Sequence, residues 1–223
     1  MPLPFSGNPL FSSDDLRQDE IELKKLKCRK DALFLPYFKY APATTESGDF
    51  FWIPWSTVQS VASNPDGAIF LGLTEDGSPR FAIDIGDSLE YWNHFTSSGF
   101  QGFRSVAAHL ADARTAIAAQ ARSILKWIAD HLFCSRCGFS NSVSFGGYRL
   151  ECTNSTCGAL SFPRIDPVVI IMITSRDNRK CLLGRGHNYP EKIISPLAGF
   201  MEPGESIEDA IQREVREEVG LPC

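Results

Sequence analysis

Three glutamates near the end of the chain stand at spacings that place them on one side of an α-helix. Glu214 and Glu218 are four residues apart, and Glu217 lies three residues after Glu214. Like charges at these spacings repel one another, and a merely soluble helix would more readily alternate glutamate with lysine. Carboxylate oxygens are preferred ligands of Mg²⁺ or Mn²⁺, ions that also bridge phosphate oxygens. The glutamates therefore predict a divalent-cation site, and the alternative is an ordinary acidic surface helix.

The segment around these glutamates carries the signals of a helix with defined ends. Ser206 followed by Asp209 resembles a capping box, and Gly220 followed by Pro222 predicts the helix end. The helix is expected to span about thirteen residues. Its apolar residues recur at three- and four-residue spacing and predict the stripe that faces the core, namely Ile207, Ala210, Ile211, Val215 and Val219.

The wider spacing decides between the two interpretations. Residues 199–221 fit the pattern G-x5-E-x7-R-E-U-x-E-E-x-G-U, where U is apolar, at every fixed position. Chance would produce this pattern in about 10⁻⁷ of chains of this length, given ordinary residue frequencies. Arg213 is expected to pair with Glu205 or its neighbours and to orient the carboxylates. The pattern resembles the Nudix box, which implies a metal-dependent enzyme that cleaves pyrophosphates.

Four cysteines form a second constellation. Cys134 and Cys137 make one close pair, and Cys152 and Cys157 make another after a hairpin-sized insert. Two tight turns can thus present four thiolates to one tetrahedral ion, which predicts a zinc ribbon with a single structural Zn²⁺. The alternatives are unligated cysteines, a redox pair, or a nucleic-acid-binding ribbon. The insert carries Arg149 but no run of basic residues, so it shows no evident binding face.

Composition limits the class of protein. The 223 residues are 43% hydrophobic and 22% charged, which is ordinary for a globular chain. The net charge of -5 argues against broad binding to DNA or to an anionic membrane, and leaves a small anionic substrate open. No secretory signal and no run of about 18 apolar residues is found. With paired cysteines that indicate a reducing compartment, we expect a soluble cytoplasmic protein.

The chain before the cysteines predicts two kinds of structure. Short apolar runs separated by Gly, Pro, Asn and Asp predict a small antiparallel sheet, and they occupy residues 32–38, 50–55, 68–73 and 81–85. The charge-rich segment 12–30 predicts one short helix. Apolar residues at three- and four-residue spacing predict a long helix over residues 103–131. Its His109, Trp127 and His131 are assigned to packing or to a solvated face.

After the cysteines, the apolar run 168–173 predicts a strand covered on both faces, and residues 181–183 predict a second short strand. The expected fold class is therefore α+β. We expect a β-rich N-terminal domain over residues 1–98, a linking helix over 99–131, a zinc ribbon over 132–163, and the first part of a Nudix α/β/α sandwich over 164–223.

The order of these parts is similar to that of the NADH pyrophosphatase subfamily of Nudix hydrolases, and the resemblance covers nearly the whole chain. Residues 5–10 resemble its N-terminal signature, and residues 81–84 resemble a later one. Residues 162–170 and 197–200 resemble the segments that flank its catalytic site. The resemblance implies hydrolysis of NADH or NAD⁺ to nicotinamide mononucleotide and AMP, and removal of NAD caps from RNA by some members.

The resemblance also implies roles for individual residues. Glu214, Glu218, the backbone carbonyl of Ala198 and Glu217 would hold the divalent ions, with the three glutamates as catalytic residues. Phe162 and Phe200 would contact the nicotinamide end of the substrate, with Phe200 reaching across a homodimer. The family usually has tyrosine at the position of Phe162, so a hydrogen bond of that hydroxyl is lost. The alternative for either aromatic residue is a place in the hydrophobic core.

Three further expectations concern the chain as a whole. The Nudix fold continues beyond its box, so the sequence predicts a truncated product with little or no activity. The alternatives for function are a Nudix hydrolase of ADP-ribose or another dinucleotide, and a non-catalytic zinc-ribbon binding protein. Some relatives are peroxisomal through a C-terminal tripeptide that residues 221–223 do not match, which leaves the peroxisome as an alternative for a full-length form.

Overall fold

The structure is a computed structural model that describes residues 5–86, 99–100, 102–103, 105, 113–187 and 190–222. The chain forms two compact units, Met1–Pro163 and Arg164–Cys223, and each has its own hydrophobic core. It mixes helices and sheets, so the α+β fold class is confirmed. Among the described helices, none has the length and apolar character needed to cross a membrane.

The first unit begins with two helices where the sequence predicted one. Helix α1 spans Asp14–Gln18 and α2 spans Glu20–Lys27. The prediction of a single helix is wrong because Asp19 starts a second one: its carboxylate accepts the Glu22 N–H at 2.9 Å. Helix α2 then buries Leu23 and Leu26 in the core.

A five-stranded sheet forms the centre of this unit. Its strands are β1 Leu33–Phe38, β2 Ala41–Pro42, β3 Ile53–Pro54, β4 Ile69–Leu73 and β5 Pro79–Asp84. The order is β2-β1-β5-β4, with β3 also paired to β1. The predicted antiparallel sheet is wrong for one pair, because β1 and β5 run parallel. Between them the chain forms α3, Trp55–Val61, and then β4, so that β5 enters the sheet in the same direction as β1.

Helices cover the two faces of the sheet. One core cluster joins Phe34 of β1 to Leu23 of α2 and Val58 of α3. The other joins Leu35 of β1 to the long helix α4, Arg114–Asp130. The earlier part of the predicted long helix, including His109, lies mostly outside the described residues. The alternation of neighbouring residues of β1 between the two clusters is the two-residue period of a strand buried on both sides.

The cysteine module, residues 132–163, belongs to the first unit. Its strands are β6 Asn141–Ser144, β7 Arg149–Cys152 and β8 Leu160–Ser161, in the order β6-β7-β8. The turn between β6 and β7 packs on β4, where a methyl group on Gly147 would lie 2.5 Å from Ile69 Cγ2. The Arg17 guanidinium of α1 lies 4.5 Å from the ring centroid of Tyr148. The turn is thus anchored against both the sheet and the first helix.

The second unit contains β9 Val168–Ile171, β10 Ile173–Thr174, β11 Cys181–Leu182, β12 Leu197–Phe200 and helix α5 Ile207–Val219. Strand β9 pairs antiparallel with β12, and β10 pairs antiparallel with β11. The prediction that β9 is covered on both faces is wrong. Val169 and Ile171 are buried, whereas Val168 and Ile170 are 47% and 74% exposed, because α5 packs on only one side of the β9–β12 pair.

Candidate functional site

Helix α5 positions the predicted glutamates, and its ends are fixed by local hydrogen bonds. The Ser206 hydroxyl accepts the Asp209 N–H, and the Asp209 carboxylate accepts the Ser206 N–H, both at 3.1 Å. At the other end Gly220 adopts φ of 67°, and its N–H bonds to the Arg216 carbonyl at 3.1 Å. The predicted capping box and glycine stop are confirmed, and the helix has the expected 13 residues.

The packing of α5 follows most of the predicted stripe. Ala210 and Val215 are buried against Val169 and Leu197 of the β9–β12 pair, and Ile211 and Val219 are partly buried beside them. Ile207 is an exception, because this first helical residue is 58% exposed. Because the buried stripe faces the strands, Glu217 and Glu218 are exposed to solvent, whereas Glu214 lies against β12.

Arg213 forms the centre of the ionic network on this helix. Its Nε and Nη2 donate to the two carboxylate oxygens of Glu205, at 2.6 Å and 3.0 Å. Its Nη1 donates to Glu214 at 2.8 Å and to Glu217 at 3.3 Å. Its Nη2 also donates to the Phe200 carbonyl at 2.8 Å. One guanidinium thus joins the helix, the loop before it and strand β12.

Glu205 is the anionic partner that holds this arginine in place. The Arg213 guanidinium, with help from the Glu202 N–H at 2.9 Å, lowers the pKa of Glu205 from 4.5 to about 2. Glu205 in turn raises the pKa of Arg213 above its usual value. A bidentate arginine–carboxylate contact of this kind fixes both geometry and charge. The Arg213–Glu205 ion pair is therefore expected to stay charged at any pH near neutrality.

Glu214 lies against the backbone of β12. A methyl group on Gly199 would be 1.9 Å from the Glu214 carboxylate carbon, so only glycine fits at this position. The Glu214 side chain is 12% exposed, whereas that of Glu217 is 61% exposed. Glu218 is exposed too, and within the described part of the chain its side chain has no hydrogen bond or ion pair. The three glutamate side chains thus differ strongly in their exposure to solvent and in the contacts that hold them.

The structure brings some of the predicted metal ligands together and leaves others apart. Glu214 and Glu217 share one nitrogen of Arg213, and Ala198 precedes the glycine that Glu214 contacts. In the ranges that the structure describes, these carboxylates do not converge on one point as the four cysteine sulfurs do. The donor types, carboxylate and backbone carbonyl oxygens, nevertheless match the hard donor set that Mg²⁺ or Mn²⁺ prefers.

The two predicted aromatic residues lie on the surface of their own units. Phe162 is 61% exposed in the first unit and Phe200 is 65% exposed in the second, so neither belongs to a core of this chain. Phe200 lines a cavity of about 190 Å³ together with Arg164 and Asp166, which form an ion pair at 2.6 Å. Arg164 and Asp166 lie within the segment 162–170, and neither was predicted from the sequence as a functional residue. The signal that could have predicted their ion pair is the opposite charge of two residues that stand two positions apart in the sequence.

The four cysteine sulfurs meet at one point of the cysteine module. Their atoms all lie within 4.8 Å of one another, with 3.9 Å between Cys134 and Cys157 and 3.3 Å between Cys137 and Cys152. A tetrahedral ion with metal–sulfur bonds of about 2.3 Å would place its ligands about 3.8 Å apart. This cluster can therefore hold a metal ion, in agreement with the predicted ribbon.

The protonation of the cysteines is coupled to the binding of a cation. The Phe139 N–H, together with the Cys152 thiol, lowers the pKa of Cys137 to about 7. Burial raises the pKa of Cys152 to about 12. One thiolate forms readily near neutral pH, but a second negative sulfur at this distance needs a compensating positive charge.

Two family models match this chain. The model described as an NADH pyrophosphatase-like rudimentary NUDIX domain matches residues 5–127, which is more than half of the chain. This chain belongs to the NADH pyrophosphatase-like Nudix family. The NUDIX domain model matches residues 164–223, the unit that contains the glutamate helix. The resemblance found in the sequence is thereby confirmed.

Three relatives show how widely the similarity extends. Nudix hydrolase 19, chloroplastic, of Arabidopsis thaliana is 43% identical over 97% of this chain and 58% of its own length. NAD-capped RNA hydrolase NUDT12 of Homo sapiens is 44% identical over 50% of this chain and 26% of its own length. NAD(P)H pyrophosphatase NUDT13, mitochondrial, of Mus musculus is 27% identical over 93% of this chain and 63% of its own length. The chain thus spans less than two thirds of each of these Nudix family relatives.

Proposed function

We propose that this chain is a metal-dependent Nudix hydrolase that cleaves the pyrophosphate of NADH or NAD⁺ to nicotinamide mononucleotide and AMP, and that also acts on NAD-capped RNA. The observation that carries the proposal is the contact between Glu214 and Gly199, which only a glycine at the start of the glutamate motif permits. The names of the human and mouse relatives, an NAD-capped RNA hydrolase and an NAD(P)H pyrophosphatase, support this substrate class.

The glutamates and one carbonyl would hold the divalent ions. Glu214, Glu217 and Glu218 lie on α5 and Ala198 lies on β12, and their carboxylate and carbonyl oxygens are the donors that these ions prefer. Bound Mg²⁺ or Mn²⁺ would neutralise the pyrophosphate and lower the pKa of an attacking water. Arg213 fixes the rotamer of Glu214, and the exposed Glu217 and Glu218 carboxylates remain accessible to a substrate. We assign the catalytic role to these three glutamates.

Substrate selection is proposed for the exposed aromatic residues. Phe162 and Phe200 present rings to which a nicotinamide can stack, since an exposed aromatic face binds a flat ring by apolar and quadrupole contact. Phe162 has no hydroxyl, so it contributes stacking alone. We propose that Phe200 acts across a homodimer, in which each subunit supplies one ring to the site of the other.

The cysteine cluster is proposed to bind one structural Zn²⁺ per chain. Four sulfur donors complete the tetrahedral shell that Zn²⁺ prefers, so the ion would have no open position for a water. The four-part division into residues 1–98, 99–131, 132–163 and 164–223 also remains our proposal. Reduced thiolates suit the cytoplasm, which we propose as the compartment, although two relatives carry the names of the chloroplast and the mitochondrion.

The substrate class is tested by product chromatography. The chain is incubated with NADH, NAD⁺, an NAD-capped RNA and ADP-ribose in the presence of Mg²⁺ or Mn²⁺. We expect cleavage of the nicotinamide dinucleotides and of the capped RNA at the pyrophosphate, so that NADH and NAD⁺ give a nicotinamide mononucleotide and AMP. Faster cleavage of ADP-ribose than of either NADH or the capped RNA would contradict the proposed substrate class.

A further inference from the structure

A second cavity, with no part in the glutamate site, opens in the first unit. Its volume is about 470 Å³, and its apolar walls include Leu10, Phe50, Trp52 and Ile117. Cavities that bind small molecules commonly measure about 300 to 1,000 Å³ and combine an apolar lining with a few polar groups. This cavity therefore has the size and the lining of a binding site.

An aromatic pair forms one wall of the cavity. The ring centroids of Phe50 and Trp52 lie 6.0 Å apart at an interplanar angle of 83°, an edge-to-face contact that fixes both rings. Phe50 is 7% exposed, whereas Trp52 is only partly buried and retains accessible surface. A rigid, accessible indole in an apolar cavity suits a flat aromatic ring such as a nucleobase.

Arg80 places a positive charge beside this indole. Its Nη1 donates to the Asp31 carbonyl at 3.2 Å and to the Pro79 carbonyl at 3.0 Å. These bonds hold the guanidinium 5.7 Å from the Trp52 ring centroid. Within the described ranges, its Nε and Nη2 have no hydrogen-bond partner. These two adjacent N–H groups on one edge of the guanidinium can therefore donate to a ligand. Such a pair recognises the oxygens of a phosphate or carboxylate.

The remaining charges at the rim limit the number of phosphates. Arg114 forms an ion pair with Asp49, so its charge is already compensated within the cavity wall. Glu75 adds an exposed carboxylate to the rim. Carboxylates accept hydrogen bonds from sugar hydroxyls and repel additional phosphate groups. The charges at the rim of the cavity therefore favour a ligand with one phosphate.

We propose that this cavity binds a mononucleotide unit, with the base on Trp52 and the phosphate on Arg80. A free mononucleotide and a nucleotide of single-stranded RNA present the same chemistry to these groups. The proposal does not depend on the proposed hydrolysis, because each residue involved lies in the first unit and the glutamate helix lies in the second.

The test is calorimetric titration of the full 223-residue chain with AMP, adenosine and a short oligoadenylate, without added Mg²⁺ or Mn²⁺. Trp52→Leu is expected to weaken the binding of AMP and adenosine by about tenfold or more. Arg80→Gln is expected to weaken AMP by about tenfold and to leave adenosine unchanged. Tighter binding of the oligoadenylate than of AMP identifies RNA as the source of the nucleotide, and the reverse order identifies a free nucleotide.

Matched variants outside the cavity serve as controls. Trp55→Leu removes an indole that contacts Phe34, and Arg122→Gln removes a guanidinium over Phe103, and both are expected to bind AMP as the unaltered chain does. Binding is also expected to persist in Glu214→Gln, which separates this cavity from the glutamate site. Unchanged AMP binding by both Trp52→Leu and Arg80→Gln, or no saturable binding by the unaltered chain, would overturn the proposal.

Photolabelling avoids any dependence on a variant that folds poorly. Irradiation of the unaltered chain with 8-azido-AMP is expected to modify the peptide that contains Trp52, as detected by mass spectrometry. Label found only in peptides outside this cavity would overturn the proposal.

Discussion

The Glu214 carboxylate lies directly against the backbone of Gly199, at a distance that leaves no room for a side chain on β12. Arg213 holds the same carboxylate from the other side, through a bond of 2.8 Å. The first glycine and the central glutamate of the motif are thus in contact, although 14 residues separate them along the chain. This contact explains why the motif needs a glycine at its start.

Replacement of that glycine is expected to displace the carboxylate. Gly199→Ala would put a methyl group 1.9 Å from Glu214, which should destabilise the chain by about 1–3 kcal/mol through overpacking. Manganese affinity, measured by electron paramagnetic resonance, is expected to fall by about tenfold or more. Gly184→Ala is the matched control, because its methyl group would lie 3.8 Å from Leu197 in ordinary contact. Equal manganese affinity of the two variants would contradict the proposed role of the contact.

Acid should weaken the second unit through Glu205. Its pKa is about 2 in the folded chain and 4.5 ordinarily, so the ionised carboxylate stabilises the fold above about pH 4.5. This contribution is lost as the pH falls from about 4.5 to about 2. In urea unfolding followed by the NMR signals of α5, the unaltered chain should therefore have a larger free energy of unfolding than Glu205→Gln at neutral pH. This advantage should shrink as the pH falls from about 4.5 to about 2. Glu208→Gln, at an exposed position of the first helical turn, is the control. An advantage that does not change with pH would contradict the assigned ion pair.

Removal of one cysteine ligand is expected to abolish binding of the proposed structural ion. Native mass spectrometry of the unaltered chain should show one Zn²⁺, and Cys134→Ser or Cys152→Ser should show none. The free energy of unfolding should fall by more than about 3 kcal/mol, since a ligand at 100 times its Kd already stabilises by about 2.7 kcal/mol. Cys28→Ser and Cys181→Ser lie outside the cluster and should retain the ion. Zinc retained in both cluster variants would contradict the assignment.

A separate prediction concerns stability and the turn between β6 and β7 of the cysteine module. Gly147 has φ of +102° and packs on Ile69, so Gly147→Ala adds both backbone strain and a steric clash. We expect a loss of about 2–4 kcal/mol in thermal unfolding. Gly77→Ala, which has positive φ but open space around it, isolates the backbone contribution and should cost about 1–2 kcal/mol. Equal losses in the two variants would contradict the close packing of Gly147 against Ile69.

The features that local chemistry determines were predictable from the sequence. The ends of α5 depend on a capping box and a terminal glycine, which are readable because their hydrogen bonds join residues three or four positions apart. The four-cysteine cluster was predictable for a similar reason, because each tight turn presents its own pair of sulfurs.

The features that depend on contacts between distant parts of the chain were not predictable from the sequence. The parallel pairing of β1 with β5 results from the path of the chain through α3 and β4, and the pattern of either strand alone does not specify it. An apolar run also cannot show which of its faces will be covered, and so Ile170 was expected to be buried although it is 74% exposed. The contact of Glu214 with Gly199 needs α5 to pack on β12, which spacing alone does not reveal.

The central claim is that the glutamate helix forms a metal-dependent hydrolytic site, and single-turnover cleavage of NADH tests it most directly. With the chain in excess over NADH, product chromatography should detect reduced nicotinamide mononucleotide and AMP in equal amounts, and only when Mg²⁺ or Mn²⁺ is added. Glu214→Gln and Glu218→Gln should each slow this cleavage by about 100-fold or more, whereas the control Glu208→Gln should not. Cleavage that persists at the same rate in both ligand variants, or cleavage by the unaltered chain that does not require added Mg²⁺ or Mn²⁺, would contradict the account.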